Sequence, residues 1–208
     1  MIQTFSESNF KHICDQLAKD DTFLKSVIDR YGYPPMWTRE NSFKTLVHII
    51  LEQQVSLASA KAALDKFEEK LSIITPEAAL ELTDEAFKAC YFSRQKMGYT
   101  RSLAEAIITC RIHLPELEAH ADEEVRRQLV ALKGIGNWTA DVYLMFVLRR
   151  TDLFPIGDLA AVNAYRQLKG LPKEYTKEAI LKDTASWAPN RTVATMILWH
   201  YYLSERGK

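Results

Sequence analysis

The residues with the types and spacing to do chemistry fall in three short stretches. In "LKGIGNWTADVYLMF", Leu132 to Phe146, two glycines interrupt a run whose apolar residues otherwise keep helical spacing. Glycine adopts positive φ without strain and leaves no side chain to block a ligand. A tight turn through Gly134 and Gly136 ahead of a helix would expose unbonded backbone N–H groups, an anion site suited to phosphate. A plain turn between two helices would carry the same residues. Lys133 in the turn and Lys96 upstream are candidate phosphate contacts, with a solvated lysine the default at each position. In "FPIGDLAAVNAYRQL", Asp158 puts a carboxylate at a helix start, a place aspartate also takes simply as an N-cap. In "EQQVS", Gln53 and Gln54 interrupt an apolar helical run just before Ser56, either as a helix end or as two presented amides.

Tryptophans accompany these stretches. Trp138 follows the glycine turn, Trp199 lies in the apolar run "MILW", and Trp37 follows two prolines in "YGYPPMW". Indole faces attract cationic rings by about 0.5–2 kcal/mol per contact. Core packing for Trp199 and turn packing for Trp37 are the other roles open to them, and Trp187 is assigned to packing.

The elements that must position these residues read as helices nearly throughout. Ser6 or Ser8 opens a first helix through Leu17, and Asn41 or Ser42 starts one whose apolar face carries Phe43, Leu46, Val47, Ile50 and Leu51. Ser56, Thr75 (with Pro76 at the first helical position), Thr83 and Ser93 are further caps, the last opening a helix through Arg111. Asp122 opens "EEVRRQLVAL", and "NWTADVYLMFVLRR" ends in two arginines that suit a helix C-terminus. Asp158 precedes "LAAVNAYRQL", and a last helix runs from about Asn190 to Leu203. Strand-like alternation is missing, so the fold class expected is all-α.

Composition bounds the function. The 208 residues are 47% hydrophobic, enough for a real core. With 27 basic and 27 acidic residues the chain does not coat nucleic acid through bulk charge, which leaves room for a small local patch. No apolar run is long enough for a membrane span and no signal peptide stands out. Cys14, Cys90 and Cys110 are widely spaced and make no metal-site pattern, which suits a reduced intracellular protein. The five histidines are scattered and are assigned to surface or core, not to metal.

"LVALKGIGNWTADV" resembles the helix-hairpin-helix motif, which holds a DNA phosphate without reading bases. The resemblance extends along the chain. "FPIGDLAAVNAYRQL" stands where helix-hairpin-helix DNA glycosylases carry a Gly/Pro-rich loop and a catalytic aspartate. "LVHIILEQQVSLASAKAAL" and "WAPNRTVATMILWHYYL" are similar to segments of the alkylated-base enzymes, the 3-methyladenine DNA glycosylase II family. The matches occur in the family's order and cover roughly residues 35–205.

That resemblance implies a two-lobed helix-hairpin-helix glycosylase fold, one lobe about 39–151 and the other about 1–38 with 152–208, with the active site in the cleft between them. It implies a monofunctional enzyme that hydrolyses the N-glycosidic bond of alkylated purines in damaged double-stranded DNA. Asp158 would be catalytic, and Trp138, Trp199 and Trp37 would line the base pocket. Gln54, with Gln53 as its neighbour, would fill the gap left by the extruded base. Gly134, Gly136, Lys133 and Lys96 would meet phosphates. The backbone carbonyls of Val130, Leu132 and Ile135 would hold Na+ or K+, with no cofactor required for the reaction. The enzyme would be a monomer in the cytoplasm, at the nucleoid if the cell is bacterial. A non-catalytic DNA binder using the same hairpin, and a glycosylase for deaminated or oxidised bases, are the alternatives. Four departures from the family pattern matter. Trp138 stands where strand-cutting members place a lysine nucleophile. Gly157 stands where a second acid often precedes the aspartate. The C-terminal cysteines of the iron–sulfur members are missing, and too little chain precedes "YGYPPMW" for the β-rich domain of the larger members.

Overall fold

The computed structural model describes residues 2–206. In chain order its α-helices are α1 (Phe10–Asp20), α2 (Thr22–Tyr31), α3 (Phe43–Glu52), α4 (Leu57–Leu71), α5 (Pro76–Glu81), α6 (Asp84–Ala89), α7 (Arg94–Ile108), α8 (Asp122–Val130), α9 (Asn137–Phe146), α10 (Leu159–Leu168), α11 (Lys177–Thr184) and α12 (Arg191–Arg206). Short 3-10 segments cover Leu114–Ala119 and Ala185–Trp187. Among the described residues the strand-like pairing is one isolated antiparallel bridge between Thr4 and Arg150, so the fold is all-α as expected. No described helix is long and apolar enough to cross a membrane.

The helix starts follow the capping chemistry of the sequence. Ser42, Ser56, Thr75, Thr83 and Ser93 each accept from a backbone N–H three residues on, at Thr45, Ser59, Ala78, Ala86 and Lys96. Each such cap is worth about 1 kcal/mol. Other boundaries differ from the sequence reading. The first helix starts at Phe10, because the Asn9 side chain accepts from Ser6 N (2.7 Å) and holds the serines in a preceding turn. A separate helix, α2, follows at once, capped by Asp21, whose carboxylate accepts from Phe23 N and Leu24 N. Asp122 is the first helical residue of α8, not its cap, and the acidic first turn it shares with Glu123 and Glu124 suits the helix dipole. The arginines expected to end α9 lie beyond it. Arg149 takes φ 55° and its carbonyl accepts from Phe5 N (3.0 Å), while Arg150 pairs with Thr4. A distant segment thus claims the backbone that local sequence offered to the helix.

The chain divides into two compact units, one of residues up to Thr38 with Leu144 onward, the other of Arg39–Tyr143. In the first, α12 buries Val193, Ala194, Met196, Ile197 and Leu198 in near-continuous sequence, as a central helix must. Around it pack Phe5, Leu24, Val27, Val162 and Tyr165. In the second, α3 buries Leu46, Val47, Ile49 and Ile50 completely, and Phe67, Phe87 and Phe92 form a ring cluster with centroids 4.8–5.5 Å apart. Each such side chain contributes about 1.5–3 kcal/mol by leaving water. All three cysteines are free: Cys14 and Cys90 are buried and Cys110 is exposed. Burial pushes the Cys14 thiol up to about 12 and raises that of Cys90.

Candidate functional site

The second unit carries the glycine hairpin. After α8, Leu132 N donates to Leu129 O (3.0 Å) and Ile135 N to Leu132 O (3.1 Å), while buried Leu132 and Ile135 anchor the turn. Gly136 O accepts from Ala140 N (3.0 Å), so Gly136 stands at the N-cap position just ahead of α9. The N–H groups of a helix's first turn have no helical partner, and here they follow an exposed glycine.

The two glycines prove unequal. Gly134 has φ +86°, and a Cβ there would sit 2.0 Å from Cγ of Tyr99. Its lack of a side chain is required by the fold. Gly136 has no positive φ, and a Cβ there would meet nothing within 4 Å. Nothing inside the chain demands that it be glycine. Close approach by something outside the chain would.

The α3–α4 loop meets this hairpin. Gln53 Nε2 donates to Gly134 O (2.9 Å) and to Thr139 Oγ1 (3.0 Å). Gln54, next in the chain, is exposed at φ 58°. The paired amides are therefore separated: Gln53 turns inward to the hairpin, and Gln54 stands at the exposed tip. Lys133 is exposed on the turn. Lys96 is half-buried, and its Nζ donates to Leu51 O (2.7 Å) at the end of α3, where burial lowers its pKa. Trp138 is half-buried in the first turn of α9.

Sequence reasoning missed three supports of the hairpin. Thr139 and Tyr99 are two of them. The third is an ion pair, Arg126 to Asp141 (2.6 Å), which links α8 to α9 across the turn. Burial pushes the Asp141 carboxyl up, while Arg126 pulls it down. An Arg and an Asp fifteen positions apart give no local signal that they meet.

The carbonyls proposed for a cation come from the last turn of α8 and the turn after it, where helical acceptors run out of helical donors. Leu132 O accepts one hydrogen bond, from Ile135 N, and a carbonyl oxygen has two lone pairs. Neutral oxygens at a helix C-terminus fit a monovalent cation better than a transition metal. Among the described residues no group of three or more His, Cys, Asp or Glu could hold a metal ion.

The first unit carries the carboxylate. The loop before α10 is tight, with Ile156 N donating to Phe154 O (2.9 Å) and Asp158 N to Pro155 O (2.8 Å). Asp158 Oδ1 accepts from Ala161 N (2.8 Å), so it caps α10. The same oxygen accepts from Trp199 Nε1 (3.1 Å). Trp199 is only 9% exposed and stacks on Phe146, ring centroids 5.1 Å apart at 27°. It is thus both a core residue and the direct neighbour of the carboxylate. Trp37 is half-buried against the core of this unit. Trp187 is buried, with its Nε1 donating to Asp21 (2.9 Å), in the packing role assigned to it.

The chain is similar in sequence and fold to known proteins. DNA-3-methyladenine glycosylase 1 of Schizosaccharomyces pombe is 35% identical over 180 residues, covering 85% of this chain and 79% of its own. A solved structure of Schizosaccharomyces pombe 3-methyladenine DNA glycosylase in complex with abasic DNA superposes with a TM-score of 0.82 at 34% identity, covering 90% of this chain and 95% of that one. A DNA-3-methyladenine glycosidase from Bacillus halodurans gives 0.76 at 29% identity, covering all of this chain and 95% of its own. The model of the HhH-GPD superfamily of base excision DNA repair proteins matches residues 47–190, and with the glycine hairpin and the capped aspartate in place the chain belongs to that superfamily.

Proposed function

We propose that this protein is a monofunctional DNA glycosylase that hydrolyses the N-glycosidic bond of alkylated purines such as 3-methyladenine, leaving an abasic site. The observation that carries the reading is the Asp158 carboxylate, fixed by the first turn of α10 on one side and by the indole of Trp199 on the other. Its chemistry fits the reaction. As the bond to the base breaks, the sugar acquires oxocarbenium character, and a fixed carboxylate stabilises that charge and orients the attacking water. Water adds to the sugar carbon, the bond electrons leave with the base, and the water's proton is lost. A base methylated at a ring nitrogen is cationic and already a good leaving group, and Trp138, Trp199 and Trp37 are the aromatic faces we assign to its recognition. Trp138, where a lysine would form a Schiff base, supports hydrolysis without strand cleavage.

The hairpin grips a phosphate through Gly134, Gly136 and Lys133, Lys96, whose Nζ meets the end of α3, is assigned a further phosphate, and Gln54 fills the gap left by the flipped base. Na+ or K+ on the carbonyls of Val130, Leu132 and Ile135 would bridge protein to phosphate. The protein acts on damaged double-stranded DNA as a monomer, in the cytoplasm, and at the nucleoid if the cell is bacterial.

The test is base release from methylated duplex, resolved by product. Free 3-methyladenine is expected, with strand breaks only after heating in base. Binding without release of any base would favour a non-catalytic DNA binder. A borohydride-trapped covalent adduct would overturn the monofunctional assignment.

A further inference from the structure

We propose that Gln53 is a positioning residue that couples the hairpin's grip on a phosphate to the placement of Gln54 in the gap. This rests on the roles of the hairpin and Gln54 given above. An amide nitrogen carries two donors, and both have partners here: Gly134 O at 2.9 Å and Thr139 Oγ1 at 3.0 Å. Because Gly134 O can only accept, the nitrogen of the amide must be the atom that faces it. With both protons engaged inside the protein, this nitrogen has none for a base.

The two partners flank the open turn. Gly134 precedes Gly136, and Thr139 lies in the first turn of α9 just after it. The Gln53 side chain therefore spans the segment that Gly136 leaves clear. On its other side, Gln53 ends α3 with φ −61° and ψ 122°, and the chain passes directly into Gln54 at φ 58°. A non-glycine residue in that region persists only where its surroundings determine it. One flank of Gln54 is held by Ser56, which caps α4, and the other by the Gln53 amide. Anything that orders the turn from Gly134 to Thr139 thereby orders the backbone that aims Gln54.

The full-length chain is titrated with an intact duplex and with a duplex carrying a tetrahydrofuran abasic-site analogue. The variants are Gln53→Met, which keeps the volume and removes both donors, and Thr139→Val, which removes one acceptor. Gln53→Met is expected to keep its melting temperature and its affinity for intact duplex, and to lose about tenfold in affinity for the analogue. Thr139→Val should lose a smaller part, and the double variant should be no worse than Gln53→Met alone. The saturating rate on methylated duplex should fall in parallel. Equal losses on both duplexes would mean that the bonds only support the hairpin, and would overturn the coupling. Additive losses, or no loss on the analogue, would overturn it too. If Gln53→Met does not fold, Thr139→Val decides by the same ratio. If the wild type prefers the analogue but releases no base, the glycosylase reading fails while the coupling is still judged by the variants. If the wild type shows no preference, there is no gap-filling to position and the inference falls.

Discussion

At Asp158 one carboxylate oxygen takes two hydrogen bonds, from Ala161 N at 2.8 Å and Trp199 Nε1 at 3.1 Å. The oxygen that caps α10 thus belongs to the same carboxylate that is proposed as the catalytic group. Asparagine separates them, because its Oδ1 accepts both bonds but carries no charge. Asp158→Asn should cost at most about 1 kcal/mol of stability. It should slow single-turnover release of 3-methyladenine by about 10²-fold, with binding to damaged duplex retained. Wild-type release by a folded Asn variant would reduce Asp158 to a cap. The residue was legible through its place before "LAAVNAY" and its family context. The indole bond was not, because it joins positions 41 apart that only packing brings together. The same holds for Gln53, whose partners lie 81 and 86 positions away.

The hairpin is an element with a division of labour between its glycines. Gly134→Ala forces a side chain into φ +86° and against the Tyr99 ring, and should destabilise the fold by at least about 2 kcal/mol. Gly136→Ala finds open space and should leave the melting temperature unchanged. It should instead weaken binding to intact and damaged duplex alike, since phosphate contacts carry no information about damage. Thermal melts beside anisotropy titrations check both, and unchanged affinity in Gly136→Ala and Gly136→Arg would remove the hairpin from the DNA interface. Helix starts were readable wherever a serine or threonine stood ahead of an amphipathic run, as at Ser42, Ser56, Thr75, Thr83 and Ser93. They were unreadable where a tertiary contact overrode the local pattern. Arg149 and Arg150 suit a helix end, yet pairing with the segment around Thr4 and Phe5 draws them out of α9.

For the whole molecule, charge is the governing quantity. Its 27 basic and 27 acidic residues cancel, and several arginines already face acids: Arg39 with Glu52, Arg126 with Asp141, Arg191 with Asp152. Binding to duplex should therefore release few counterions. A plot of log K against log salt should have a slope of magnitude about 2–4, two to four phosphates' worth. A slope steeper than about 6 would mean that a concentrated basic face meets the duplex, and would overturn this expectation. Fold class and family were legible at this scale because cap spacing, the glycine pair and the aspartate loop occur in one order along the chain. The partition within α9, between Tyr143 and Leu144, was not, since a helix carries no mark of where contacts change allegiance.

The distribution of thiols has a practical consequence. Cys14 and Cys90 are buried with thiols held above their ordinary pKa, and Cys110, just beyond the end of α7, is exposed. Alkylation requires an accessible thiolate. A maleimide dye should therefore react with one equivalent of native protein quickly and with all three cysteines only after unfolding, as mass spectrometry of the adducts would show. The natural sequence thus offers a single-point attachment for a fluorophore in the same compact unit as the hairpin. Real-time observation of single molecules on DNA would then need no engineered cysteine.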